Sequence, residues 1–419
     1  MSDWKKAVLP AVGIVATVVS FLVGSELRTR QDTGLHVRKV PQSYMAGIES
    51  NPESTVNVPE GEMFYQLLLL LERDYVDPKI NETKLAYGAV KGMVDGLWDP
   101  LSQFMQKDQY EEHVRRKSGK FGGIGVELRT VSDSKELAKV QRGERPSDPL
   151  MLRPVLIVAT VVPGSPAELA GLQAGDQVTG LNNKWLLGYT DIIQIRKLQK
   201  DVAAGKMNAD EFSKFRADFQ RKAKSAISLS RAEDLLLMGE GRLLDLTWSR
   251  NGKTYSASVT TQSTTVPMVT KSPAGTYRLH LFKGVEKAMD EFLDATGTVV
   301  LDLRQSSLGD AQTIRPVLEK LAPARQFGKI VSDRPGQPRT LATTNGTSSE
   351  RRFKLLVDKS TRGAAEIMAM ALKACGTAEI VGGPMASEAV WIESTRLPDG
   401  SGYALNTGRF EPDPFKESK

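Results

Sequence analysis

A single cysteine, Cys375, stands in a chain of 419 residues, which excludes an intramolecular disulfide framework. Histidine is nearly as scarce, at three residues, so a dense Cys/His metal-ligand cluster cannot be assembled, and neither a metal nor an organic cofactor is expected. No sign of charge dominates: 56 Lys and Arg face 50 Asp and Glu, leaving +6. Both signs are interleaved along the chain, which favours a solvated surface over nucleic-acid binding. What is present, 40% hydrophobic and 25% charged residues, is the composition of a chain that folds around packed cores in two or three domains.

The N-terminus departs from that average. Lys5 and Lys6 precede an uncharged apolar run at 7–24, long enough as a helix to span about 27 Å, close to the hydrocarbon thickness of a bilayer. A signal anchor over 1–30 is the reading, with a cleaved signal peptide ending near Gly24 and Ser25 as the alternative. Arg28, Arg30, Arg38 and Lys39 follow the run and blunt the positive-inside signal. A polar stretch at 31–60, without apolar periodicity, reads as a tether.

Three textures follow. Helical spacing of Met63, Leu67, Leu70 and Leu71, and a second helical segment up to the turn Trp98-Asp99-Pro100, define a helical unit over 61–118. A β-rich module over 119–265 contains the apolar run Val155 to Val162 and an Asn251-Gly252 hairpin turn. A helical insertion at 190–228 interrupts it. Asn208 and Glu211 stand in capping-box spacing there, and Phe212, Phe215 and Phe219 share one helix face. Nine Lys or Arg against four Asp or Glu between Arg196 and Lys224 suit either a solvated hairpin or a docking face. From 266 to 419, helices at 285–293, 311–321 and 364–374 alternate with apolar strands at 298–303 and 353–357, which implies an α/β core.

Several separate stretches resemble the carboxyl-terminal processing protease family, also called tail-specific or S41 serine peptidases. Tyr75-Val76-Asp77-Pro78, Gly88 to Met93 and Asp99 to Ser102 are similar to its helical lead-in. Gly119 to Leu128 is similar to the start of its PDZ domain, and Val161 to Ala167 with Ala170 to Asp176 is the strongest PDZ signal. Leu301-Asp302-Leu303-Arg304, Val357 to Leu372 and Val381-Gly382-Gly383-Pro384 resemble segments of its catalytic core. The resemblance implies an α/β and β multidomain architecture: a helical lead-in, a PDZ-like β module carrying the insertion, and a ClpP/crotonase-like protease core. A PDZ module adds an extended peptide to a sheet edge and receives its terminal carboxylate on backbone N–H groups. Gly122, Gly123, Ile124, Gly125 and Val126 would be that loop.

At the catalytic positions the resemblance breaks. The register set by Glu366-Ile367 places the family nucleophile at Gly363, which has no side chain to attack a carbonyl. The lysine base falls at Glu388, whose ionised form opposes a developing oxyanion, and the supporting glutamine falls at Ile392. Leu308 and Gly309 occupy the oxyanion turn, where Pro-Gly-Gly is expected. Ser360, beside Lys359 and Thr361, is the one rescue candidate for a nucleophile, against an ordinary loop or cap role. His36, His113, His280 and Cys375 read as structural, and Asp302 with Arg304 as a pair supporting a strand end.

The resemblance therefore implies a membrane-anchored pseudoprotease facing the periplasm or cell exterior. Its partners would be protein or peptide C-termini, and an active protease homologue or an envelope complex engaged through the basic insertion. The alternative is an active serine-type endopeptidase with a rearranged nucleophile.

Overall fold

The computed structural model describes residues 60–76, 81–293, 297–306, 309–333, 338–347 and 351–413. The expected membrane run at 7–24, the tether before residue 60 and Leu308 lie outside the described residues. Among those described, no helix is long and apolar enough to cross a membrane. The chain divides between Leu85 and Ala86 into two compact units. The first contributes α1 (Glu60–Asp74), and α2 (Glu82–Asp95) runs across the division. The Asn81 side chain accepts the Lys84 N–H at 2.9 Å and so caps α2.

In the second unit, β1 (Gln103–Met105), α3 (Lys107–Lys117) and β2 (Lys120–Phe121) lead into the β module. That module runs β3 (Val126–Val131), α4 (Ser134–Gln141), β4 (Val155–Val161), α5 (Pro166–Leu169), β5 (Gln177–Leu181) and β6 (Lys184–Trp185). It continues with α6 (Tyr189–Ala203), α7 (Ala209–Lys224), α8 (Leu229–Leu237), β7 (Leu243–Arg250) and β8 (Lys253–Thr260). Its antiparallel sheet has the order β3-β4-β5-β7-β8, with β6 beside β5. Leu244, Leu246 and Trp248 alternate inward along β7 while Leu243 and Asp245 face water, the period-two pattern of a sheet with one wet face. Asn251 and Gly252 both have positive φ in the β7–β8 turn, the conformation that the Asn-Gly pair favours. In the insertion, Asn208 caps α7 through the Asp210 N–H. Phe219 meets Trp185 edge-on at 4.8 Å, so the aromatic face of α7 packs against its own module.

The core contains β9 (Thr264–Thr265), β10 (Val269–Lys271), β11 (Tyr277–Leu279), α9 (Asp290–Leu293), β12 (Val299–Asp302), α10 (Ile314–Leu321) and β13 (Gln326–Val331). It goes on through β14 (Arg339–Ala342), β15 (Phe353–Val357), α11 (Gly363–Ala374), β16 (Ala378–Gly382), β17 (Val390–Arg396) and β18 (Gly402–Pro412). One sheet has the order β10-β11-β12-β15-β16, parallel from β11 to β16. A second, antiparallel sheet runs β1-β18-β13-β14, with β17 on β18. Leu301, Leu355, Ile367, Leu372 and Leu318 are sealed between strands and helices, each contributing about 1.5–3 kcal/mol through lost contact with water.

The β module leaves and rejoins the core at one place. Strands β2 and β9 pair, Phe121 opposite Thr264, and Phe121, Val162, Val266 and Phe282 form a small apolar cluster there. Beside it lies a buried ion pair. The Glu112 carboxylate accepts the Gly122 N–H at 2.8 Å and bonds Arg116 Nε at 3.1 Å. Arg116 also donates to the Val126 and Leu237 carbonyls, both at 3.0 Å. Replacing Arg116 by Met takes the buried cation from the Glu112 carboxylate, which keeps only the Gly122 N–H and the half-exposed Arg115, and removes a donor from two carbonyls, a loss of about 3 kcal/mol. The midpoint of urea unfolding should fall accordingly.

Glu233, on α8, loses water by burial and lies near Asp234 and Asp95, with Lys91 opposing their effect; its carboxyl is pushed up to about 7. The folded form therefore keeps a proton that the unfolded chain releases near 4.5. That contribution is complete at acid pH and is lost as pH rises through the folded value. Glu233→Gln should become progressively more stable than the parent chain between pH 5 and pH 8, measured by thermal melting across that range.

Candidate functional site

The site forms where β15 ends and α11 begins. Asp358 closes the turn by accepting the Ser360 N–H and Oγ–H, at 2.8 and 2.5 Å. Ser360 Oγ in turn accepts the Gln305 N–H at 2.6 Å, and Thr361 Oγ1 donates to the Leu303 carbonyl. Both hydroxyls are thus committed to holding the loops after β12 and β15 together, and Ser360 is only 9% exposed. Lys359 is exposed beside it; no hydrogen bond joins its amine to Ser360 among the described residues.

Gly363 opens α11 with φ +51°, and a Cβ there would meet nothing within 4 Å. Space for a side chain is present, and the backbone demand is the left-handed conformation that glycine adopts without penalty. Its N–H donates to the Glu388 carbonyl at 3.1 Å. One turn on, the buried carboxylate of Glu366 accepts the N–H groups of Ser387 and Glu388 at 3.0 and 2.8 Å. Burial raises its pKa, against those two bonds and with Glu388 adding to the rise. The helix start and the loop at 386–388 are therefore pinned to each other through backbone atoms.

Glu388 itself lies between two guanidinium groups. Arg362 Nη1 is 3.1 Å from Oε1, and Arg129 Nη1, reaching across from β3, is 2.5 Å from Oε2. These side chains are 21%, 19% and 27% exposed for Arg362, Arg129 and Glu388, so the charges are only partly hydrated and strongly complementary. Both carboxylate oxygens of Glu388 are thus engaged by guanidinium groups. Arg362 lies within the Val357 to Leu372 stretch but was given no role there, and Arg129 lies just beyond the Gly119 to Leu128 stretch. Arg362 had a visible cue, its place directly before Gly363; Arg129 had none, because its partner is distant in the chain.

The remaining positions are distributed around this centre. Gly309 packs against the start of α11, where a Cβ would lie 3.0 Å from Ala364 Cβ. Close approach explains the glycine. Ile392, on β17, joins Met105, Tyr110 and Ala404 in an apolar cluster against α3 and offers no polar support to position 388. Asp302 is bonded by Arg278 at 3.0 Å and by Arg304 at 2.9 and 3.1 Å. Burial alone would raise its pKa, but these bonds outweigh it and hold the carboxyl below the usual range. Among the described residues no group of three or more His, Cys, Asp or Glu is placed to hold a metal ion.

In the β module, β3 is the terminal strand of its sheet, an edge on which an extended segment can pair. The loop before it is largely satisfied from within. Gly122 N–H meets Glu112, Gly123 N–H meets the Gly239 carbonyl at 3.1 Å, and Ile124 N–H meets the Leu236 carbonyl at 2.8 Å. Gly125 packs on Ser165, and Val126 is buried. Of the five loop residues named from the sequence, three have their backbone donors engaged by α3 or by the end of α8.

Comparison with known proteins bears on this architecture. A profile described as peptidase family S41 matches residues 275–413, a PDZ domain profile matches 157–202, and one described as the activating protease CtpB N-terminal domain matches 25–109. The carboxy-terminal processing protease CtpB of Bacillus subtilis (strain 168) is 23% identical over 338 residues, 80% of this chain and 61% of that protein. A probable CtpA-like serine protease of Staphylococcus aureus (strain COL) is 28% identical over 192 residues, 46% of this chain and 32% of that protein. The chain thus spans less than two thirds of either relative. The solved photosystem II D1 C-terminal processing protease shares the fold, with TM-score 0.55 and 21% identity, over 85% of this chain and 89% of that one. A mixed α/β core behind a PDZ module, matched piece by piece along the sequence, leads to one conclusion: the chain carries an S41 peptidase-type core over residues 275–413 and a PDZ domain before it.

Proposed function

We propose that this chain is a pseudoprotease that binds peptide C-termini without cutting them. The observation that carries the reading is Glu388: the position matching the family's base holds a carboxylate clamped by Arg129 and Arg362, facing a nucleophile position, Gly363, that has no side chain. A serine peptidase needs a hydroxyl and a base able to take its proton, and this arrangement supplies neither. Ser360 does not substitute, since its hydroxyl is engaged with Asp358 and Gln305.

Binding rests on the PDZ module. An extended peptide adds to the outer edge of β3, and its terminal carboxylate competes with Glu112 and the α8 carbonyls for the loop donors, which lowers affinity. The apolar run at 7–24 would hold the chain at a membrane with its folded part on the extracytoplasmic side. The basic α6–α7 hairpin is the surface on which an active homologue or an envelope complex would dock.

Incubated with an unfolded protein and with peptides of apolar C-terminus, the full chain should generate no new termini in mass spectrometry. Specific cleavage would overturn the reading. The positive control restores Gly363→Ser and Glu388→Lys together with Arg129→Ala and Arg362→Ala, because a lysine at 388 would otherwise face two guanidinium groups. For binding, peptides with a free carboxylate should be retained at least about tenfold more tightly than their C-terminal amides, the equivalent of about 1.4 kcal/mol. Equal affinities in fluorescence anisotropy would remove the carboxylate from recognition.

A further inference from the structure

A second polar cluster adjoins the family positions, with Ser394 two residues beyond Ile392 and Asp310 next to Gly309. His113 and Lys117 stand four residues apart on α3 and so share a helix face. Opposite them, on β17, Ser394 places its Oγ 2.9 Å from His113 Nε2 and 3.2 Å from Lys117 Nζ. The hydroxyl accepts from the ammonium, and with the His113 proton on Nδ1 it donates to Nε2, along the path of transfer. Asp310 Oδ1, 3.4 Å from Lys117 Nζ, fixes the lysine. Ser394 and His113 are both partly accessible, and the Lys117 side chain is 21% exposed.

We infer that Ser394, His113 and Lys117 form an acyl-accepting site for small activated esters, separate from the positions at Gly363 and Glu388. In the reaction, Ser394 Oγ forms a bond to the ester carbonyl carbon and its proton passes to His113 Nε2. The carbon–oxygen bond to the leaving alkoxide breaks, and the imidazolium returns the proton to it. Water then attacks the acyl-serine, with His113 again taking and returning the proton, and releases the acid. Lys117 presents its positive charge beside the carbonyl oxygen as negative charge develops there. Asp310 is a positioning residue, acting through Lys117. Burial, with Lys117 and Arg116 nearby and Asp310 opposing, holds His113 down to about 4, so the imidazole is in its basic form throughout the neutral range. The inference stands independently of the inert-protease reading, which concerns other residues.

Treating the full chain with a fluorophosphonate reagent, which captures activated serines, and mapping the adduct by mass spectrometry tests the site directly. A single adduct on Ser394 is expected, absent in Ser394→Ala. His113→Gln, which keeps a hydrogen-bonding side chain, should slow labelling about a hundredfold. The rate in the parent chain should be level from pH 5.5 to 8. No adduct, an adduct on Ser360 or another serine, or a rate that climbs through that range would overturn the assignment. Because the map is made on the unaltered chain, a folding defect in a variant cannot obscure it.

Discussion

The buried pair of Glu112 and Arg116 is the contact on which the arrangement of the second unit depends. Besides the bond between them, three hydrogen bonds reach three different segments: the glycine loop at Gly122, the start of β3 at Val126 and the end of α8 at Leu237. A carboxylate and a guanidinium hidden from water are costly unless every lone pair and proton finds a partner. Here the partners are main-chain atoms of the β module, so the module's position relative to α3 is fixed by a requirement for satisfaction and not only by apolar contact. The same pair occupies the Gly122 N–H of the glycine loop.

Around Gly363 the scaffold is held through main-chain atoms. Glu366 ties the loop at 387–388 to the helix start through backbone N–H groups, a bond pattern indifferent to the side chain at 388. The charge of Glu388 is met by Arg362 and Arg129. The consequence reaches further than the site, since Arg129 belongs to β3. The outer strand of the PDZ domain and the core thus share a charged contact, in addition to the β2–β9 pairing and the Arg116 bonds, and its strength falls as salt rises.

Much of this organisation was legible in the sequence where local chemistry dictates it. The Asn251-Gly252 turn, the Asn208 cap and the apolar strand at 353–357 are short-range signals, and each element lies where its signal stands. The segments read as helices at 285–293 and 311–321 each open instead with a 3-10 turn before a shorter α-helix; Asp310 caps the second through the Gln312 N–H. Glycines signalled tight geometry without saying which kind: Gly363 has the left-handed backbone, whereas Gly309 is held by a neighbour's Cβ. The second core sheet was not visible, because β17 and β18 carry a mixed burial pattern and their partners are remote. For the same reason the charges that bracket Glu388 and the polar group around Ser394 emerge only from tertiary structure.

The pairing of β1 with β18 sets Gln103 opposite Ala404 and Met105 opposite Gly402. During synthesis, about three hundred residues leave the ribosome between the two partners, at least about fifteen seconds at ordinary elongation speed. Throughout that interval β1 presents unpaired backbone, and α3 lacks the strand against which Tyr110 packs. The PDZ domain, whose sheet closes with β8, has every strand it needs well before then. The PDZ domain can thus close its sheet while the core is still unfinished, and premature termination before residue 402 would release a chain without β18, the strand that joins β1, β13 and β17.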